Sequence, residues 1–206
     1  MNAPTAGGGG PIVVAGAGYA GLHVALRLTA KLRNHPAVEL TLVDRHDYHQ
    51  VITELPRVAG GTRAAGAVRI PLQDMLATRV RFVRAEITGF DLAGRRLLTG
   101  AGPIGWRRLV LALGSRPNDF AIPGLAQRTL SLYSAGDAER VWAAVSKALD
   151  DAAAAADPER QRRLATVVVG GGGATGVELA GELAEILPDM ASGRGLAADR
   201  PAVQLV

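Results

Sequence analysis

The 206-residue sequence contains no cysteine. This absence excludes disulfides, thiolate metal sites and a redox-active dithiol within the chain. Aromatic residues are also scarce, at 4% of the composition, and no unbroken apolar run approaches the roughly 18 residues that a membrane-spanning helix requires. The sequence therefore predicts neither cysteine chemistry nor a transmembrane helix.

The chain carries a mildly positive charge, with 23 lysines and arginines, 19 acidic residues and a formal net charge of +4. The basic residues are scattered apart from one cluster at residues 160–163, and they do not alternate with aromatic residues as a base-stacking surface requires. We therefore expect no nucleic-acid partner. Because 48% of the residues are hydrophobic, we expect a folded chain with a core. Residues 1–11 are expected to form a flexible leader, because they have neither the basic flank nor the apolar core of a signal peptide. Together with the lack of a membrane-spanning run, this predicts a soluble, cytoplasmic protein.

One sequence pattern occurs twice, at an offset of 155 residues. A short apolar strand runs into a glycine turn and then a helix, in IVVAGAGYAGLHVALRL at residues 12–28 and in VVVGGGGATGVELAGEL at residues 167–183. The glycines of the first copy are Gly16, Gly18 and Gly21, and those of the second copy are Gly171, Gly173 and Gly176. We therefore expect two dinucleotide sites.

The first copy continues into a complete strand-helix-strand unit, because residues 38–43 (VELTLV) predict a second strand and Asp44 follows directly. In such a unit the first glycine permits the tight turn, the second lets backbone amides approach a pyrophosphate, and the third lets helix and strand pack closely. Asp44 then accepts hydrogen bonds from the hydroxyls of an adenosine ribose, and its charge repels a 2′-phosphate. The first copy is predicted to bind an adenosine dinucleotide other than NADP.

The second copy ends differently. Residues 201–206, PAVQLV, repeat the pattern of the second strand, but the sequence ends one position before the residue that would match Asp44. We therefore expect an incomplete second unit and a chain that is the front part of a longer protein. On the helix of this copy, Glu182 and Glu185 are predicted to lie along a solvated stripe.

The segment that follows Asp44 predicts a long loop. Residues 45–71 are polar and rich in glycine, with no regular periodicity, and a loop of this length is more often functional than idle. No third imidazole or carboxylate stands at a helical spacing from His46 and His49, so we expect loop polar groups there and no metal site.

The residues between this loop and the second copy predict a meander and a helix. Runs at residues 80–90, 95–98 and 107–113 are typical of antiparallel strands, and the last run is apolar enough to rejoin a buried parallel sheet. Residues 137–156 predict a helix with Trp142 as a core anchor.

These motifs resemble the flavoprotein oxidoreductases with two dinucleotide-binding domains, which hold FAD in the first domain and NAD(P)H in the second. VLALGSRPN at residues 110–118, between the two glycine turns, belongs to the same pattern. Within this superfamily, DRHDYHQVITELPRVAGG at residues 44–61 and VVVGGGGATGVELAGELAEIL at residues 167–187 look most like type II NADH dehydrogenases, the single-subunit NADH:quinone oxidoreductases.

The resemblance implies an α/β fold. It implies a Rossmann-like FAD-binding domain at residues 12–126 with an antiparallel β-meander insertion, and the start of a Rossmann-like NAD(P)-binding domain at residues 127–206. The activity implied is hydride transfer from NAD(P)H to the flavin, then electron transfer to a small-molecule acceptor, with a quinone favoured. The hydride step requires no acid or base from the protein, so no side chain is assigned a catalytic role.

The resemblance also implies the residues of both sites. The ADP half of FAD is expected to be held by Gly16, Gly18, Ala20, Gly21 and Asp44. Arg45 is expected to lie near the adenine and Thr53 near the flavin ring. Ala112, Leu113 and Gly114 are expected to lie against the cofactor. The nicotinamide nucleotide is expected to face Gly171, Gly173, Thr175, Gly176 and Glu178.

Two alternatives stay open on the sequence. One is a truncated, non-catalytic nucleotide-binding fragment, because the sequence contains neither the second acid nor a second FAD segment. The other is a ferredoxin or rubredoxin reductase with the same two domains, whereas the lack of cysteine argues against disulfide reductases and sulfide:quinone oxidoreductases. The resemblance further implies a homodimer, and peripheral contact with the inner face of the membrane through a region beyond Val206.

Overall fold

The structure is a computed structural model that describes residues 11–197 and 199–206. The leader predicted at residues 1–11 lies outside the described residues, apart from Pro11. The strands are β1 (Ile12–Ala15), β2 (Leu40–Asp44), β3 (Tyr48–Gln50), β4 (Arg69–Pro71), β5 (Val80–Arg84), β6 (Ile87–Asp91), β7 (Arg96–Thr99), β8 (Ile104–Gly105), β9 (Arg108–Leu111), β10 (Thr166–Val169) and β11 (Ala202–Leu205). The helices are α1 (Tyr19–Lys31), α2 (Leu55–Ala59), α3 (Leu125–Arg128), α4 (Ala135–Ala154), α5 (Pro158–Leu164) and α6 (Ala174–Ser192).

The chain divides into two compact units. The first comprises residues 11–50 and Ile70–Ser115, and the second comprises Val51–Arg69 and Arg116–Val206. The domain ranges expected from the sequence, 12–126 and 127–206, stay predictions. Within the described ranges, no helix combines the length and the apolar character needed to cross a membrane.

The first unit is built on a parallel sheet with the strand order β5-β2-β1-β9. This is the order of a dinucleotide-binding half, in which the chain returns to the first strand after its third. Val13, Val14 and Ala15 of the central strand β1 are fully buried, because both faces of that strand are covered. The α/β fold predicted from the sequence is confirmed.

Two clusters of apolar side chains cover the faces of this sheet. On one face Leu22 and Ala25 of α1 pack with Val14 and Leu42. On the other face Val13, Ala15 and Val43 pack with Leu97 of β7 and with neighbours that include Trp106. The sheet is therefore held between the crossover helix and the meander.

The expected meander is present, but its boundaries differ from the prediction. β6, β7 and β8 form the antiparallel sheet, and β9 rejoins the parallel sheet beside β1 as expected. The prediction of a single meander strand over residues 80–90 was wrong, because β5 pairs in parallel with β2 instead. The chain changes sheets at the buried Ala85, whose N–H donates to the carbonyl of Asp44 at 2.8 Å.

The second unit places α2, α4 and α6 around one core, next to the parallel pair β10 and β11. Leu55, Val58 and Ala59 of α2 are buried in that core with Val145 and Leu183. The irregular loop predicted for residues 45–71 was therefore partly wrong. A five-residue helix carries little periodicity of its own and is stabilised by the elements it packs against.

One element of this unit was not predicted, and one further expectation needs correction. Residues 160–163 belong to α5, where the Asp157 side chain caps the helix by accepting from the amides of Glu159 and Arg160. Glu182 is not simply solvated, because its carboxylate accepts a hydrogen bond from the hydroxyl of Thr62. Glu185 is exposed, as predicted.

Gly61 provides a test of how α4 holds the segment that contains α2. Its φ is +73°, and an added Cβ would overlap the ring of Trp142, the half-buried tryptophan that was predicted to anchor α4. We expect Gly61→Ala to lower the free energy of unfolding by about 1–3 kcal/mol, since it combines left-handed strain with overpacking. Thermal unfolding of the full chain measures this. Gly66→Ala is the control, because open space surrounds that position, and equal midpoints for the two variants would contradict the assignment.

The turn between β6 and β7 provides a pH test. The amide of Gly94 and the guanidinium of Arg96 both donate to Asp91 and hold the pKa of its carboxyl below the usual value. The carboxylate therefore stabilises the folded turn above the ordinary pKa of aspartate, and this contribution is lost as pH falls through the lowered value. An NMR titration of the Asp91 carboxyl should show the lowered midpoint, which moves partway back in Arg96→Gln. An unchanged midpoint in that variant would contradict the role of Arg96.

Candidate functional site

The first glycine turn is closed so tightly that side chains do not fit. Gly16 has a φ of +102°, and its N–H donates to the carbonyl of Val43 at 2.8 Å. A Cβ at Gly16 would overlap the carbonyl of Ala112, and a Cβ at Gly21 would overlap the carbonyl of Gly16. Both positions therefore require glycine, one for its backbone angle and both for close approach.

Gly18 has a different role in the same turn. It is the N-cap residue of α1, in extended conformation, with no side-chain cap and no acidic residue in the first helical turn. Open space surrounds the position of its missing side chain. The amides of residues 18–21 have no carbonyl one turn earlier to accept from them, and the helix terminus carries partial positive charge. The turn is therefore a cradle for an anion.

Side chains from β2 and β3 hold the backbone of Ala17 in this cradle. Asp44 accepts from the amide of Ala17 at 2.7 Å with one carboxylate oxygen, and from the amide of His46 at 2.8 Å with the other. The Nδ1 atom of His49 lies 3.2 Å from the carbonyl oxygen of Ala17. His49 is buried, and its ring meets the ring of Tyr19 edge-on, with 4.6 Å between the centroids.

The end of β9 approaches the cradle from the neighbouring strand. The amide of Ala112 donates to the carbonyl of Ala15 at 2.8 Å, which places the peptide of Ala112 beside Gly16. Leu113 follows and is about half exposed, at 52%, and Gly114 has a φ of +75°. The structure thus brings this predicted site segment to the first glycine turn.

Arg45 and Ala20 complete the predicted residues of the first unit. Ala20 is an exposed residue in the first turn of α1. Arg45 follows Asp44 directly and forms an exposed ion pair with Glu86, with 4.0 Å between nitrogen and oxygen. Thr53 is an exposed residue of the 3₁₀ turn Ile52–Glu54 in the second unit, whereas the first glycine turn belongs to the first unit.

The second glycine turn repeats the geometry of the first. Gly171 has a φ of +109°, and its N–H donates to the carbonyl of Val206 at 2.7 Å. A Cβ at Gly176 would overlap the carbonyl of Gly171. Gly173 caps α6 in extended conformation with open space around it, and the first turn of α6 contains no acidic residue. The turn is a second anion cradle of the same design.

The two turns differ in what surrounds them. A Cβ at Gly171 would have open space around it, whereas a Cβ at Gly16 would overlap the carbonyl of Ala112. The difference arises because β10 pairs only with β11 among the described strands. Thr175 and Glu178 lie exposed near the start of α6, on the same helix as the cradle. The predicted roles of all these residues toward a ligand stay predictions.

Sequence reasoning missed the contact between His49 and Ala17. It treated His49 as a loop group, whereas the side chain is buried against the glycine turn from 32 residues away. Residues 45–71 have no regular periodicity, so the sequence carried no local signal for this contact. Among residues 11–197 and 199–206, no group of three or more histidine, aspartate or glutamate side chains is arranged to hold a metal ion.

The sequence of the chain is similar to those of known proteins. A family model described as pyridine nucleotide-disulphide oxidoreductase matches residues 10–190. A type II NADH:quinone oxidoreductase of Staphylococcus aureus (strain NCTC 8325 / PS 47) is 31% identical over 188 residues, which cover 90% of this chain and 46% of that protein. The chain therefore spans about half the length of the curated relatives it matches.

Two solved structures have the same fold. NDH2 from Plasmodium falciparum in complex with NADH matches with a TM-score of 0.82 and 19% identity, covering 95% of this chain and 41% of that one. NADH:rubredoxin oxidoreductase from Clostridium acetobutylicum matches with a TM-score of 0.60 and 19% identity, covering 95% of this chain and 44% of that one. At this identity both likenesses concern the fold alone.

The family match covers most of the chain, and it agrees with the two strand-turn-helix repeats. The chain belongs to the pyridine nucleotide-disulphide oxidoreductase family. The resemblance drawn from the sequence motifs is confirmed, and relatives from Staphylococcus aureus and Staphylococcus saprophyticus are named type II NADH:quinone oxidoreductases.

The glycine turns predict a contrast between two alanine variants of the first unit. Gly21→Ala is expected to lower the free energy of unfolding by about 2–4 kcal/mol, because the added Cβ overlaps backbone that has no room to move. Gly18→Ala is expected to leave it unchanged within about 0.5 kcal/mol, because its backbone is extended and open space surrounds it. Denaturant unfolding without added nucleotide measures both. Equal stability of the two variants would contradict this account of the turn.

Proposed function

We propose that the chain forms the FAD-binding and NADH-binding part of a flavin-dependent NADH dehydrogenase, with a quinone as the electron acceptor. The observation that carries the proposal is the repeated cradle, in which Gly16 and Gly171 make the same turn, with φ of +102° and +109°, before helices of the same design. A chain with two such cradles is equipped to hold two dinucleotides. Membership of the pyridine nucleotide-disulphide oxidoreductase family supports this proposal.

The first cradle fits the ADP half of FAD. The open space at Gly18 lies at the amino-terminal end of α1, where the amides of residues 18–21 would donate to a pyrophosphate. Each oxygen of Asp44 accepts one backbone hydrogen bond, and a carboxylate oxygen retains a second lone pair for a ribose hydroxyl. Arg45 would lie near the adenine, and Ala112, Leu113 and Gly114 would border the cofactor.

The second cradle fits the pyrophosphate of NADH. The amides that follow Gly173 at the start of α6 would hold it, with Thr175 and Gly176 in the same helical turn. Glu178 and Thr53 are the residues we assign nearest the reacting rings. When bound, FAD would supply the chemistry by accepting a hydride from NADH and delivering the electrons to the acceptor, while the protein would orient both nucleotides.

The choice of NADH and a quinone rests on the curated relatives. The Staphylococcus aureus relative is named for NADH and a quinone, and it is similar to this chain over 90% of the chain. NADH and the quinone are named for the whole relative, and this chain matches 46% of the length of that relative. Dimer formation and contact with the inner face of a membrane are proposed only from the resemblance of the sequence motifs to this family.

A matched pair of variants tests the assignment of the two cradles. Gly18→Ala is expected to weaken FAD binding about tenfold or more and leave NADH binding unchanged, because its methyl group stands in the space of the pyrophosphate and displaces charge-assisted hydrogen bonds. Gly173→Ala is expected to do the reverse. Isothermal titration of the full chain with FAD and with NADH measures both. Loss of the same nucleotide in both variants would refute the assignment.

The acceptor is tested with the flavin-loaded protein. We expect NADH-dependent reduction of a soluble ubiquinone or menaquinone analogue at a rate at least about tenfold above that with rubredoxin or ferredoxin. Stopped-flow absorbance of the flavin measures each reaction without oxygen. Faster turnover with the iron-sulfur proteins would favour a rubredoxin-type reductase, and no flavin bleaching by NADH would indicate a nucleotide-binding fragment without activity.

A further inference from the structure

We infer that His49 is a positioning residue for the first cradle, which orients the Gly18 amide toward the pyrophosphate of the bound dinucleotide by holding the carbonyl of Ala17. This inference rests on the proposed binding of FAD at that turn. It concerns a side chain from β3 that needs no contact with the ligand.

The direction of the hydrogen bond follows from the chemistry of the two groups. The Nδ1 atom of His49 lies 3.2 Å from the carbonyl oxygen of Ala17. A backbone carbonyl only accepts, so Nδ1 carries the proton and donates it. His49 is buried, with 5% of the residue exposed, and burying a polar nitrogen without a partner is costly. The buried ring is therefore tied to this one peptide of the glycine turn.

The peptide between Ala17 and Gly18 transmits that constraint. A trans peptide is planar, with its C=O and N–H directed to opposite sides. Because His49 holds the carbonyl of Ala17, the N–H of Gly18 is directed away from His49. That amide is the first of the four at the start of α1 that have no acceptor within the helix. The neighbouring amide, that of Ala17, is held in turn by Asp44 at 2.7 Å.

The turn has no means of its own to set this orientation. Gly16, Ala17 and Gly18 carry no polar side chain, and glycine is the residue with the most backbone freedom to lose. An amide already aimed at the ligand lowers the entropic cost of binding. The Tyr19 ring also contacts the His49 ring, edge-on with 4.6 Å between the ring centroids.

Two variants separate the hydrogen bond from the packing of the ring. His49→Phe keeps a planar ring beside Tyr19 but has no donor. His49→Asn places an amide nitrogen where Nδ1 stood but leaves part of the ring volume empty. His46→Phe is the matched control, because His46 is exposed and its ring stacks on Tyr48. The dissociation constant for FAD, from titration of the full chain, and the unfolding midpoint without nucleotide are measured for each.

If the inference is right, FAD affinity depends on a hydrogen-bond donor in the side chain at position 49. The loss of one net hydrogen bond predicts FAD binding about fivefold to tenfold weaker in His49→Phe, and affinity within about twofold of the unchanged protein in His49→Asn and His46→Phe. Unchanged affinity in His49→Phe overturns the inference while the proposed function stands. The inference is also overturned if FAD affinity changes in parallel with the unfolding midpoint, so that His49→Asn binds FAD more weakly than His49→Phe. If the unchanged protein fails to bind FAD, the proposed function is refuted and the inference with it.

Discussion

The close approach between each glycine turn and the helix that follows is the constraint on which both units depend. Gly21 stands against the carbonyl of Gly16, and Gly176 stands against the carbonyl of Gly171, with no room for a Cβ in either pair. This contact brings the start of each helix over the end of its strand. The unpaired amides of the helix are therefore presented at the edge of the sheet where a phosphate can reach them.

A turn made almost entirely of glycine and alanine has to be held by its surroundings. In the first unit the surroundings are Asp44, His49 and the peptide of Ala112, which reach the turn from β2, β3 and the end of β9. In the second unit the described residues provide the bond from Gly171 to Val206. The two cradles have the same backbone design, but only the first shows side chains that hold its turn within the described part of the chain. An ordered turn presents its amides to a ligand without the entropic cost of arranging them.

Sequence reasoning was most accurate where the physics is local. The spacing of the glycines, the apolar runs before them and the place of Asp44 at the end of β2 all follow from one strand-helix-strand unit, and the structure has each of them. It was least accurate where an element depends on a distant partner. Residues 80–84 were predicted to belong to the meander but pair with β2, because a short alternating strand fits either sheet. Glu182 was predicted to be solvated but accepts from Thr62, 120 residues away.

The sequence by itself determined that the chain has two glycine turns of the same design, because a turn with this close approach requires glycine at fixed spacing whatever surrounds it. It also determined the family, through motifs whose order along the chain can be read directly. Only the tertiary structure decided that the segment Val51–Arg69 packs with the second unit and that His49 holds the first turn. Those contacts depend on which distant surfaces meet, and short polar or weakly periodic segments carry no local pattern that specifies their partners.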